Sequence, residues 1–226
     1  MPYLYESHMG GLFTSEEPLD YEFLYCEECG DSDTELGYFE SPDEVWEMIK
    51  PENLECIDCP DHKSDCSCEE KCEKLEPYNI HGYDLSYCME FLEGLTNGRK
   101  TYIYLVCRNE KNRKIYVNFE PSRYKFGEKH GILSMFCFKP ELENKIAISL
   151  VPYVGILKEK PKYIQTKKTK GKINRIYECI IEDNESEDNA AWPERDGYYG
   201  WFDPKEFIPL PGEEFIQEYL KEQNIM

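Results

Sequence analysis

Two cysteine pairs of identical spacing constrain this chain more than any other feature: Cys26-x-x-Cys29 followed by Gly30, and Cys56-x-x-Cys59 followed by Pro60. Zinc takes four soft, deprotonated ligands in a tetrahedron, and two cysteines separated by two residues supply half of it from one turn. Glycine after the first pair lets the backbone pass through positive φ, and its amide is expected to approach a thiolate. Read together, the pairs give C-x2-C-x26-C-x2-C, longer in the middle than the common ribbon spacing. A helix expected over 42–50 takes up the extra length. Four thiolates leave no open position, so this site reads as a structural staple and not a catalytic centre.

Seven of the eleven cysteines lie between Cys26 and Cys72. An odd number argues against a complete disulfide framework, which would also need an oxidising compartment. Cys66, Cys68 and Cys72 with His62 or Cys88 form a candidate second site, with His81 also within the segment, so the expected cofactor is one or two zinc ions. The other reading is that Cys66–Cys72 are unliganded loop thiols. Cys107, Cys137 and Cys179 stand singly in apolar segments and read as small buried hydrophobes.

Charge is partitioned along the chain. The formal net charge is −20; residues 1–98 carry 26 acidic against four basic residues, 99–181 carry 19 basic against seven acidic, and 182–226 carry 13 acidic against three basic. Such a balance in the first part, with few branched aliphatics, favours disorder unless a metal staples it. No run of about 18 apolar residues is present, and the N-terminus lacks the basic start and apolar stretch of a secretory signal. A cytoplasmic protein is expected.

The pattern predicts a short strand at Tyr3-Leu4-Tyr5 before Gly10-Gly11, then a hairpin from Phe23–Tyr25 to Leu36–Phe39 with the first cysteine pair at its tip. Ser41-Pro42-Asp43-Glu44 announces a helix start with a capping box. Leu85, Cys88, Met89 and Leu92 share one face of a second helix. Asn97-Gly98 is the expected domain boundary. Beyond it, Thr101, Ile103, Leu105 and Cys107 alternate with Tyr102, Tyr104 and Val106, and strands are expected near 115–119, 131–138, 145–151, 161–166 and 173–181. Residues 182–196 read as an acidic loop, Tyr198, Tyr199, Trp201 and Phe202 as an aromatic patch, and 213–222 as a helix. The expected fold is therefore α+β: an N-terminal zinc-ribbon-like domain over 1–98, and over 99–226 an antiparallel β-domain with a terminal helix.

Three functional classes follow. An acidic protein could present Glu16, Glu17, Asp20 and Glu22 before the first cysteine pair, and Asp31, Asp33 and Glu35 after it, to a basic partner as a nucleic-acid mimic does. A nucleic-acid-binding module could use Lys158, Lys160, Lys162, Lys167, Lys168, Lys170, Lys172 and Arg175 around one hairpin, with Tyr102, Tyr104 and Tyr116 for base stacking. The lysines could instead solvate the hairpin or dock on the chain's own acidic ends. Catalysis is not expected: His8, His62, His81 and His130 are scattered, His130 reads as a turn residue, and no phosphate-binding glycine loop occurs.

The stretches Tyr5-Glu6-Ser7-His8-Met9-Gly10-Gly11-Leu12-Phe13 and Leu24-Tyr25-Cys26-Glu27-Glu28-Cys29-Gly30-Asp31-Ser32-Asp33 resemble proteins carried by phages and mobile elements of low-GC Gram-positive bacteria. The resemblance covers about the first 50 residues. It implies an inhibitor of host defence, of the anti-CRISPR kind, acting in the bacterial cytoplasm on a basic surface of a nuclease or other nucleic-acid-binding complex.

Overall fold

The structure, a computed structural model, describes residues 2–50, 85–109, 111, 113–119, 129–151, 159–181 and 198–226. Strand β1 (Tyr3–Glu6) buries Leu4 and Tyr5 completely. The chain reverses at Gly10 and Gly11, at φ of 78° and 129°, where a side chain would be strained. It returns as β2 (Leu12–Ser15), and β3 (Thr34–Tyr38) pairs with the other edge of β1. This antiparallel sheet of order β2-β1-β3 replaces the expected hairpin between 23–25 and 36–39. Tyr21–Leu24 form one helical turn, α1, with no buried residue, and Tyr25 bridges antiparallel to Ser32, so the first cysteine pair does lie at the tip of a short antiparallel turn while Thr34–Tyr38 pair with β1.

Helix α2 (Pro42–Ile49) begins as its sequence predicts. Ser41 Oγ accepts from the Glu44 amide at 3.4 Å, and Glu44 Oε2 accepts from the Glu40 amide at 2.7 Å, one residue short of the usual reciprocal cap. Val45, Trp46 and Ile49 are buried. Helix α3 (Leu85–Leu95) buries Leu85, Cys88, Met89 and Leu92, as its period requires.

The second sheet is built on β4 (Lys100–Asn109), with β5 (Ile115–Phe119), β6 (His130–Gly131), β7 (Leu133–Cys137), β8 (Lys162–Thr169), β9 (Lys172–Ile181) and β10 (Tyr198–Phe202). Its order is β10-β5-β4-β9-β8, with β6 on β5 and β7 on β4. The sheet is mixed, not antiparallel: β4 and β9 run parallel from Lys100↔Lys172 to Asn109↔Ile181. Parallel neighbours need a long crossover, and the chain leaving β7 supplies it. Part of that crossover is helix α4 (Glu143–Ser149), where the sequence pattern predicts a strand at 145–151. Buried Leu142, Ile146, Ala147 and Leu150 follow helical spacing there.

Both faces of the sheet are covered, as parallel pairing favours. On one face Ile103, Leu105, Cys107 and Cys179 join Leu4, Phe39, Trp46, Met89 and Ile146 in a single cluster, so residues before and after 98 share one core. On the other, Tyr104, Val106 and Ile176 meet Phe215, Ile216, Tyr219 and Leu220 of α5 (Glu214–Glu222). The molecule is thus α+β, mostly sheet, with a terminal helix. His130 is not a turn residue: it lies buried in β6, its Nδ1 accepting from the Ile208 amide at 2.9 Å. No helix among the described residues is long and apolar enough to cross a membrane.

Candidate metal centre

Pairing of β1 with β3 sets Glu6 opposite Thr34, and this brings the turn after β1 beside the residue that enters β3. One oxygen of Asp33 accepts from the His8 amide at 2.9 Å and contacts His8 Nδ1 at 2.5 Å. The ring is thereby held with Nε2 turned inward, where that nitrogen is buried and makes no hydrogen bond of good geometry among the described residues.

The first cysteine pair folds against this ring. The Cys26 amide donates to the Asp31 carbonyl at 2.8 Å and the Gly30 amide to the Cys26 carbonyl at 2.9 Å, with Gly30 at φ 83°. An antiparallel bridge between Tyr25 and Ser32 closes the loop. The glycine amide therefore serves the backbone and not a sulfur, which differs from the sequence expectation. Backbone amides of Cys29 and Glu28 approach the Cys26 sulfur instead, and with the neighbouring thiol they bring the Cys26 pKa down to about 7. The Asp31 amide favours the Cys29 thiolate, but the adjacent Cys26 sulfur and burial outweigh it and leave Cys29 above its ordinary value. Hydrogen bonding to Asp33 raises His8, against a smaller opposing effect of burial, and the neighbouring Cys26 sulfur raises it further.

His8, Cys26 and Cys29 each offer a ligand atom, and these atoms lie within 4.8 Å of one another. An imidazole and two thiols form the soft nitrogen–sulfur donor set that zinc accepts. Amides aimed at the Cys26 sulfur favour its thiolate, and the buried Nε2 of His8 is the nitrogen a metal would take. The residues present fit a metal ion.

Of the other expected ligands, Cys56, Cys59, His62, Cys66, Cys68 and Cys72 lie outside the described residues. Cys88 is fully buried in α3, where its thiol donates to the Ile49 carbonyl at 3.3 Å. Sequence reasoning missed His8, because no spacing ties it to the cysteines; only the β1–β3 pairing does.

The acidic residues divide. Glu16, Glu17, Asp20, Glu22, Asp31 and Glu35 are exposed, whereas Asp33 is half-buried and committed to His8. Around α1 the exposed acids are interleaved with exposed rings: Tyr21 is 68%, Phe23 75% and Tyr25 40% accessible, and Tyr21 stacks on Tyr25 at 5.8 Å. In the basic hairpin, Lys160, Lys162, Lys168, Lys170 and Lys172 are exposed, and Lys158 lies outside the described residues. Lys167 pairs with Glu222 at 3.4 Å and Arg175 with Glu143 at 3.1 Å. The rings expected to stack on bases are packed away: Tyr104 lies edge-on to Phe215 and Tyr116 edge-on to Trp201, while Tyr102 is half-buried with the Lys172 amine 4.5 Å from its centroid.

No family model and no curated protein matches the sequence. Among solved structures the chain is similar to a MutT chain, from a study of the proteins of the fish pathogen Aliivibrio salmonicida and of Vibrio cholerae. That likeness has 9% identity and a TM-score of 0.38, and covers 55% of this chain and 98% of the other. It is also similar to the ORF135 protein of E. coli, at 12% identity and a TM-score of 0.35, over 54% of this chain and 92% of that one.

Proposed function

We propose that this protein is a zinc-stapled, acidic binding protein that occupies a basic nucleic-acid-binding surface of a partner, acting by occupancy and not by turnover. The observation that carries the reading is α1, a helical turn with no buried residue that sets Tyr21 and Phe23 among Asp20, Glu22, Glu16 and Glu17, directly ahead of the cysteine knuckle. Exposed aromatic side chains are characteristic anchors of protein interfaces, and flanking carboxylates select a cationic counterpart. A four-residue helix without core contacts does not hold its shape alone. Zinc at Cys26 and Cys29, in a zinc-ribbon-like N-terminal part holding one or two ions, would supply the missing rigidity.

Resemblance of the first 50 residues to phage and mobile-element proteins supports an anti-defence inhibitor, with a host nuclease or other nucleic-acid-binding complex in a bacterial cytoplasm as target. The alternative, nucleic-acid binding by the β8–β9 hairpin, keeps its exposed lysines but loses Tyr104 and Tyr116 as stacking platforms. Capture from a nuclease-treated bacterial lysate distinguishes the two. A protein partner should remain bound after nuclease treatment and be displaced by added duplex DNA, because protein and DNA compete for one surface. Recovery of nucleic acid alone would reverse the ranking.

A further inference from the structure

We infer that His8 is itself a zinc ligand and Asp33 its positioning carboxylate, so that the metal is bound by imidazole nitrogen as well as thiolate and ties the β1–β2 turn to the knuckle. This rests on the reading that the cluster holds zinc, and changes what that site is: a mixed nitrogen–sulfur centre where the cysteine spacing predicts four thiolates.

Three observations converge. First, His8, Cys26 and Cys29 place their ligand atoms within 4.8 Å of one another. Ligands sharing a tetrahedral zinc sit roughly 3.3–3.8 Å apart, given Zn–S near 2.3 Å and Zn–N near 2.0 Å, so side-chain adjustment alone closes the set. Second, Nε2 of His8 is buried and makes no hydrogen bond of good geometry among the described residues, while the Cys26 sulfur lies close enough to interact with the ring. A buried polar atom in that state is costly, and a metal ion is a partner that the adjacent thiols would share. Third, a single Asp33 oxygen takes both the backbone amide and the Nδ1 side of His8, at 2.9 and 2.5 Å. Metal-bound histidines characteristically give their other ring nitrogen to a carboxylate, which fixes the tautomer and the ring plane.

Charge points the same way. Replacing one of four thiolates with a neutral imidazole removes a negative charge from a part of the chain where 26 acids face four bases over residues 1–98. Zinc in a structural site accepts four ligands, so with His8, Cys26 and Cys29 in place one corner remains for a fourth donor. Cys26, Cys29, Cys56 and Cys59 then cannot all bind the same ion.

X-ray absorption at the zinc edge of the protein tests this directly. The expected shell mixes nitrogen at about 2.0–2.1 Å with sulfur at about 2.3 Å. His8→Cys should retain zinc and lower the nitrogen count of the shell in favour of sulfur. Asp33→Asn should weaken zinc about ten- to hundredfold in competition with a chelator, and shift the visible bands of the Co2+-substituted protein. The exposed neighbour Glu35→Gln should change neither. A merely structural Asp33 would instead destabilise the metal-free and zinc-bound proteins alike and leave the Co2+ bands in place. An all-sulfur shell in the wild type, or a nitrogen count that His8→Cys leaves unchanged, overturns the assignment of His8. Unchanged affinity and spectra in Asp33→Asn overturn the role of Asp33. Absence of metal from the purified protein overturns this inference and the zinc reading together.

Discussion

Tyr177 and Cys137 are buried on the face of the second sheet that α4 covers, and burial pushes both groups up to about 12. Tyr219 in α5 is raised further, by burial first and then by its hydrogen bond to Glu178, whose other oxygen takes Arg108 at 2.9 Å. In the unfolded chain such thiols and phenols ionise near 9 and 10, so the folded state holds their protons more tightly. The stability they contribute is whole below about pH 9 and is lost as pH climbs toward about 12. Denaturant midpoints measured across that range should be level at first and then fall, and Tyr177→Phe should make the fall shallower above about pH 10. An unchanged profile would mean that Tyr177 ionises freely inside the fold. The buried cysteines were legible at this scale, since Cys107, Cys137 and Cys179 sit in apolar strands and are all buried. His8 was not legible, because its neighbours in the chain are turn residues and its partner Asp33 is set by strand pairing.

Helix α5 is the element whose packing depends most plainly on a few residues. Ile216 and Leu220 are wholly buried against Val106, Ile115 and Ile176 of the sheet. Leu220→Ala should lower unfolding free energy by about 2–5 kcal/mol, and Ile216→Val by about 0.5–1.5 kcal/mol, in equilibrium denaturation. Equal effects from the two would indicate that the helix seam is not close-packed. This helix was readable from its amphipathic period, as were α2 from its capping residues and β4 from its alternation. The region of α4 was misread because Ile146, Ile148 and Leu150 alternate like a strand, while Leu142, Ile146 and Leu150 also suit a helix. Only burial decides between the two patterns: Ile146 and Ala147 are both buried, whereas Ile148 is only partly so. The parallel pairing of β4 with β9 has no signature within either strand, since direction depends on the crossover between them.

Across the whole molecule, part of the charge partition is spent on internal contacts. Lys139 of the basic middle pairs with Asp43 of α2 at 2.9 Å, and Lys167 with Glu222 of α5 at 3.4 Å. Glu16, Glu17, Asp20 and Glu22 enter no ion pair among the described residues and stand exposed beside Tyr21 and Phe23. If these acids steer a cationic partner, their effect acts at long range on encounter and is screened within about 8–10 Å at physiological salt. Reversing Glu16, Glu17, Asp20 and Glu22 to lysine should then slow association more than it speeds dissociation, and should flatten the salt dependence of the rate. Tyr21→Ala with Phe23→Ala should do the opposite, leaving association near the wild-type rate and speeding dissociation, because anchoring rings act only at contact. Asp33 is excluded from the reversal set, since it holds His8 and its reversal would alter the metal site and the surface together. Stopped-flow association and dissociation rates at two salt concentrations, with the captured partner, separate the two contributions. If neither set of substitutions moves either rate, α1 is not the contact and the acids only solvate this part of the chain.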